Sequence, residues 1–301
     1  MQSKTHAASG DARMEIYNYD KCLHVATKNF ERDLDKIESV SDLFNSSRTL
    51  LTDNFQACFE ALHSSLKQAQ SFTILSAVEE MIEIILICLN SRRFTTVEVL
   101  SRVVLEHSVN LLYIIAGKGK ERAFSFLRAH FDNAYARARK WHEFALKSGR
   151  PNIIEAAAGR MAYLDASRAR IPEIANAQAW PDARRRFQVL EIEEAYHDIF
   201  APASDAIHAL AEDTYNNWFT ERNTEPEHEG RVMQLNLAEK GSYAVYMGAN
   251  AVALYAQLVE RLLAAALCRD AESEIEKIIR RLNEILISFT LIRNATDEAA
   301  G

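Results

Sequence analysis

Apolar residues recur at helical spacing along most of the chain, and one segment carries the pattern in its densest form. Residues 95–116, TTVEVLSRVVLEHSVNLLYIIA, place Val97, Val99, Leu100, Val103, Val104, Leu105, Val109, Leu111, Leu112, Ile114 and Ile115 around the whole circumference of a helix. An apolar surface that closes on itself marks a helix buried on all sides. Yet Glu98, Arg102, Glu106 and Asn110 run along it at four-residue steps, near enough to pair along the axis. Thr95 followed by Glu98 predicts a capping box at the start, and Gly117 and Gly119 predict the stop. Burial strips charged groups of their hydration, so these charges need partners. Either the stripe faces a wet cleft or other helices supply those partners.

The rest of the chain reads as helices built around this one. Residues 12–36, 41–70 and 73–90 each repeat apolar positions near 3.6-residue spacing. No proline occurs before Pro151, so this half is free of the strongest helix breaker. Residues 121–147 form the next long helix, with Phe124, Leu127, Phe131 and Tyr135 on one side and Arg128, Arg137, Arg139 and Lys140 over much of the rest. Gly149 and Pro151 end it. Residues 153–170 give a shorter helix, 176–186 a loop anchored by Trp180, and 187–200 a helix that Pro202 kinks before 203–219. Pro226 and Gly230 predict a loop at 221–231. Residues 240–268 and 271–293 close the chain as two long helices, with Ala244, Gly248, Ala251 and Ala265 small enough for close neighbours. No strand-type alternation, repeat or low-complexity tract is present. The expected fold is all-α, a multi-helix bundle of about eight to ten helices, in a single domain at 12–297 behind a disordered tail at 1–11.

Composition changes this picture in three places. A hydrophobic share of 48% with 26% charged residues is that of a soluble globular chain, and the polar opening MQSKTHAASGDAR is no signal peptide. Residues 243–259 are interrupted by Asn250 and Gln257 and read as a packed helix, so no membrane contact is expected. Cys22, Cys58, Cys88 and Cys268 form no C-x-x-C pair and are expected as buried thiols in a reducing cytoplasm. The net charge of −7 hides an asymmetry: residues 118–186 carry 15 Lys/Arg against 7 Asp/Glu, and the remainder 20 against 35. A basic middle suits an anionic ligand or RNA, or it pairs with acidic parts of its own fold.

Three constellations could carry chemistry. Arg-x-x-x-x-His, the spacing of HEPN-type ribonucleases, occurs at Arg102–His107 and Arg137–His142. There a histidine does acid–base work and an arginine stabilises phosphate. Glu-x-x-His, the ligand spacing of di-metal bundles, occurs at Glu60–His63, Glu194–His197 and Glu225–His228. Glu98 or Glu106 would then complete the set. Tyr196, Phe200, Ser204 and His208 form a further stripe at four-residue steps. Beside a buried Arg–Glu pair they would make a convergent polar pocket. The plainer alternative in each case is a solvated face or a satisfied core network. No nucleophile elbow, P-loop or dinucleotide fingerprint is present, and no cofactor or resident metal is expected.

At these residues the chain resembles the bacterial domain of unknown function 5677 family, over about residues 95–215. The likeness is carried by Arg102, Glu106 and Tyr113, by the helix ERAFSFLRAHFDNAYARARKW, by the linker WPDARRRF and by Tyr196, Phe200, Ser204 and His208. Where the family often has Gly-Ser after the histidine, this chain has Ala209-Leu210. The resemblance implies a helical core at about 95–220 and a shared polar cluster, and it names no reaction. The expectation is therefore a cytoplasmic helical protein whose pocket, formed by Arg102, Glu106, Tyr196, Ser204 and His208, binds or processes an anionic ligand. Arg102 would anchor the anion, Glu106 would orient Arg102 or His208, and His208 would move the proton. One alternative is a non-enzymatic scaffold that forms homo-oligomers through its Ala-rich C-terminal helices, and another is the di-metal bundle.

Overall fold

The computed structural model describes residues 19–201, 229–299 and the isolated positions 214 and 218. Among them there is no strand, and nine helices run to seven residues or more. The chain is an all-α bundle. In order, the helices are α1 (Tyr19–Leu34), α2 (Lys36–Asp53), α3 (Phe55–Glu60), α4 (Ser65–Asn90), α5 (Phe94–Ala116), α6 (Glu121–Ser148), α7 (Pro151–Ala169), α8 (Glu173–Asn176) and α9 (Ala183–Val189). A short turn α10 (Glu193–Ala195) runs into a π-helical segment, Tyr196–Phe200. Two long helices follow, α11 (Glu229–Ala265) and α12 (Arg269–Ala299). The expected tail at 1–11, the Pro202 kink, and residues Ser204 and His208 lie outside the described residues.

α5 is buried as expected, with Val97, Val104, Leu105, Leu111 and Ile114 sealed from solvent. Among the described residues it is the helix long and apolar enough to cross a membrane, but it is packed between α4 and α11 as a core helix. The hub of the bundle is α11, which meets α1, α2, α4, α5 and α12. Its Ala-rich stretch, from Ala244 to Leu263, is almost wholly buried inside its own chain. Those alanines are therefore covered by their own chain, whereas Ala264 and Ala265 at the end of α11 are exposed. Small side chains do set the packing: a Cβ on Gly241 would run into the Phe30 ring, and one on Gly248 would meet Leu89 Cδ1 at 2.9 Å. Tyr255, fully buried on α11, donates its hydroxyl to Glu79 of α4. Burial and that carboxylate both raise the phenol pKa and hold its proton in place.

Several helix boundaries differ from the sequence pattern for one shared reason. The expected break near residue 71 falls instead at 61–64, and α4 starts at Ser65 with Ser64 accepting from Lys67 N. The helix expected at 187–200 is interrupted at Leu190–Ile192, and the expected loop at 176–186 ends in α9. The turn at His63, the turn at Arg92 before α5, the interruption at Glu191 and the turn at Leu267 between α11 and α12 all adopt positive φ, from 50° to 61°. Three of these turns are closed by long reverse hydrogen bonds, Arg93 N to Cys88 O, Ile192 N to Phe187 O and Cys268 N to Leu263 O. That is the hydrogen-bond pattern of a Schellman stop, usually built on glycine. Gly149, by contrast, stops α6 with φ of 65°, and Pro151 starts α7, as the sequence predicts. The predicted capping box also fails to form: α5 starts one residue early, at Phe94, and Arg93 caps it without a side-chain bond. Glu98 instead reaches toward Lys240 of α11, at 4.0 Å.

α6 and α7 form a hairpin with its own small core of Phe131, Ala134, Ala138, Leu164 and Ile174. Its root is tied to the bundle: Gln70 Nε2 donates to Ala123 O at 3.0 Å, and Arg122 Nη1 donates to Tyr113 O at 2.8 Å. Lys67, buried, donates to Gly117 O at 3.2 Å and neutralises the carbonyl end of α5. Of the four free cysteines only Cys58 is fully buried. Its apolar surroundings push the thiol up to about 11, whereas Cys22 and Cys88 lie half-buried on helices and Cys268 half-buried in the turn between α11 and α12.

Leu267 is exposed and pays for its left-handed backbone with no packing. Leu267→Gly is expected to stabilise the protein by roughly 1 kcal/mol, read from urea unfolding midpoints. A loss of stability would show that this turn is held by its side chain instead.

Candidate functional site

α5, the Trp180 linker, α9 and the π segment meet around two buried arginines. Asp182 caps α9, its Oδ1 accepting from Arg185 N at 2.8 Å. That cap fixes the phase of the helix, so Arg186 and Phe187 turn inward while Arg184 and Arg185 stay outside. Arg184 and Gln188 then both donate to Glu193, at 2.9 and 2.8 Å, pinning α9 to the start of the π segment. The π turn swings Tyr196 and Phe200 to one side, where their rings stack at 5.5 Å. Phe187, Phe200 and Val109 of α5 form the apolar floor. Single π turns inside helices are frequent at functional sites.

Arg102 is 6% exposed and Arg186 is 5% exposed. Arg102 Nη1 donates to Glu106 Oε2 at 3.0 Å, the pair that the four-residue step predicts. Its guanidinium lies over Phe200, with Cζ 3.3 Å from the ring centroid, a cation–π contact strengthened by desolvation. Arg186 donates to the carbonyl of Pro181 and sits 5.3 Å from the Trp180 ring centroid. Trp180 in turn meets Tyr113 and Phe126 edge-on, at 5.1 and 4.9 Å. Arg122 stacks over the far side of this wall, 4.0 Å from the Tyr113 centroid.

The two guanidiniums are unevenly partnered. Burial pulls both guanidiniums below their usual pKa, and Glu106 is the first opposing influence on each. Arg186 also feels the repulsion of Arg102. Arginine stays charged in proteins, so the cost of burial is carried as lost hydration. The half-exposed Glu106 carboxylate acts on both buried cations and bonds only Arg102, while Asp182 adds a smaller attraction on Arg186. Among the described residues, Nε of Arg102 and Nε of Arg186 are both buried without an acceptor. Asn110, the last member of the α5 stripe, likewise buries an Oδ1 with no donor. Native proteins leave few such groups, and each calls for an explanation.

Of the nominated residues, Arg102, Glu106 and Tyr196 come together, while Ser204 and His208 lie outside the described residues. Arg186 was not nominated, although it belongs to the linker on which the family likeness rests. The sequence shows three equivalent arginines, and only the cap at Asp182 selects one. The Arg-x-x-x-x-His pairs do not converge. Five residues along a helix separate Arg102 from His107 by about 140° around the axis, and Arg137 is exposed on the hairpin. Among the described residues no three His, Cys, Asp or Glu side chains gather as a metal site. Glu60, His63, Glu194 and His197 are exposed, and Glu225 and His228 lie outside the described residues.

His107 is half-buried, and burial lowers its pKa, with Glu106 partly opposing. The unfolded chain thus takes up this proton at a higher pH than the folded chain. Stability is present above the unfolded value of about 6.5 and is lost as pH falls through it. The urea midpoint should fall between pH 7.5 and 5.5, and should fall less in His107→Gln. Identical pH profiles for the two proteins would show that His107 is not responsible.

No curated protein and no solved structure is similar enough to the chain to count as a match. A family model does match, over residues 69–226, a span wider than the likeness read from the sequence. It runs from α4 to beyond the π segment and so takes in Arg102, Glu106, Arg186 and Tyr196. With just over half of its length inside that model, the chain belongs to the family of unknown function DUF5677.

Proposed function

We propose that the cluster of Arg102, Glu106 and Arg186 binds an anionic group, with a phosphate-bearing ligand such as RNA as the candidate class. The observation that supports this most is the pair of buried Nε–H donors that have no acceptor among the described residues, beside a carboxylate, Glu106, that bonds only Arg102. A phosphate offers several acceptor oxygens and up to two negative charges, and arginine binds it bidentately. Such a group would complete both guanidiniums and cancel their mutual repulsion. Arg102 anchors the anion, Glu106 orients Arg102, and the Tyr196 ring closes one side. His208 is the proton-transfer candidate and Ser204 the candidate hydroxyl of the sequence stripe, which would make the site one that processes its ligand as well as holding it.

Thermal unfolding at matched ionic strength tests the binding step. Inorganic phosphate at a hundred times its Kd is expected to add about 2.7 kcal/mol of stability. Chloride is expected to add none, and Arg102→Gln and Arg186→Gln, checked by circular dichroism, should lose the phosphate effect. Equal stabilisation by both anions, or a phosphate effect that survives both substitutions, would mean that the arginines serve only to hold α9 and the π segment on α5. With a labelled RNA as substrate, cleavage that persists in His208→Ala would remove His208 from the chemistry.

A further inference from the structure

The outer half of α6 presents a face that the other described residues leave exposed. Arg137, Lys140, Trp141, Phe144 and Lys147 fall within a sector of about 120° at 100° per residue. Phe144 is 64% exposed and Trp141 is also exposed. Among the described residues the three cations of this face make no ion pair, although Arg139 beside them pairs with Glu143 at 3.6 Å. An exposed aromatic patch rimmed by unpaired charge is an interaction surface.

The complementary surface is on the same molecule. The outward sector of α4 carries Glu80, Glu83, Ile84 and Ile87, within about 100° of one another. Ile87 is 64% exposed and Ile84 is exposed as well. Glu83 pairs with Arg48 of α2, and Glu80 makes no ion pair among the described residues. We propose that the chain self-associates, seating the basic aromatic face of α6 from one copy on the acidic apolar face of α4 of a second. Charge distribution favours a second copy over a polyanion. Residues 118–186 carry a net +8 (15 against 7) while the remainder carries −15 (20 against 35). For this outward face, the acidic remainder of a second copy is itself the attractive surface. Each copy bears both faces, so two such contacts about a two-fold axis close the assembly. The inference is independent of the arginine site.

Sedimentation or light scattering on the full chain tests it. The wild type is expected at twice the chain mass of 34.1 kDa or more. Lys140→Glu/Lys147→Glu should fall to the single-chain mass, and so should Glu80→Lys, each with unchanged helicity. Combining the three substitutions in one chain reverses both faces together and should restore association. A wild type that is monomeric at micromolar concentration overturns the proposal, and so do variants that keep the assembled mass. Binding of a single-stranded oligonucleotide that is lost in Lys140→Glu/Lys147→Glu while mass is unaffected would assign the face to nucleic acid instead.

Discussion

Two guanidiniums buried beside one carboxylate set the terms for the middle of this molecule. An isolated cation taken out of water costs several kcal/mol even after relaxation, and Arg102 and Arg186 also repel each other. Among the described residues the surroundings answer that cost with soft, directional contacts, and no acid besides Glu106 lies at hydrogen-bonding range of either guanidinium. Phe200 lies under Arg102, Trp180 beside Arg186, and the Pro181 carbonyl takes one Arg186 proton. Each of these depends on local backbone: the π turn for Phe200, the Asp182 cap for Arg186, the linker for Trp180 and Pro181. The segment from Trp180 to Phe200 is short and irregular because it has to deliver these groups to one face of α5. What it leaves undone among the described residues, two Nε–H donors without acceptors, is what an anion would complete.

The rest of the fold makes that face rigid. α11 lies across the bundle with alanine and glycine where larger residues would hold its neighbours apart, so α1, α4 and α5 approach it closely. α5 is thus held from behind by α4 and α11, with Glu98 turned toward α11 and Arg102 toward the π segment. The α6–α7 hairpin is tied down at its root by Arg122 and Gln70 and carries much of the basic charge outward. The molecule therefore separates an inward cationic site from an outward cationic face, and the two need not share a ligand.

Much of this was legible in the sequence where chemistry and spacing coincide. The apolar circumference of α5, the Arg102–Glu106 step and the stop at Gly149 and Pro151 all follow from residue type and helical period. Other features were not legible, for identifiable reasons. The turns at His63, Arg92, Glu191 and Leu267 use left-handed residues that are not glycine, so no residue type announces them. α11 is the hub, but alanine contributes little to a hydropathy pattern, and α5 looked more central than it is. Arg186 could not be told from Arg184 and Arg185 until the cap at Asp182 set the helix phase. Cys22, Cys88 and Cys268 sit in apolar sequence but at positions that the bundle only half covers.

The most direct measurement is of the two Nε–H groups themselves. In isotope-labelled protein, the Arg102 and Arg186 side-chain Nε–H resonances can be assigned by loss in the Gln variants and followed as inorganic phosphate is added. Both resonances should shift together along one saturating curve and exchange more slowly with water once phosphate is bound. Resonances that stay in place, or that drift only as much as those of the exposed arginines on α6, would contradict an anion site at this cluster.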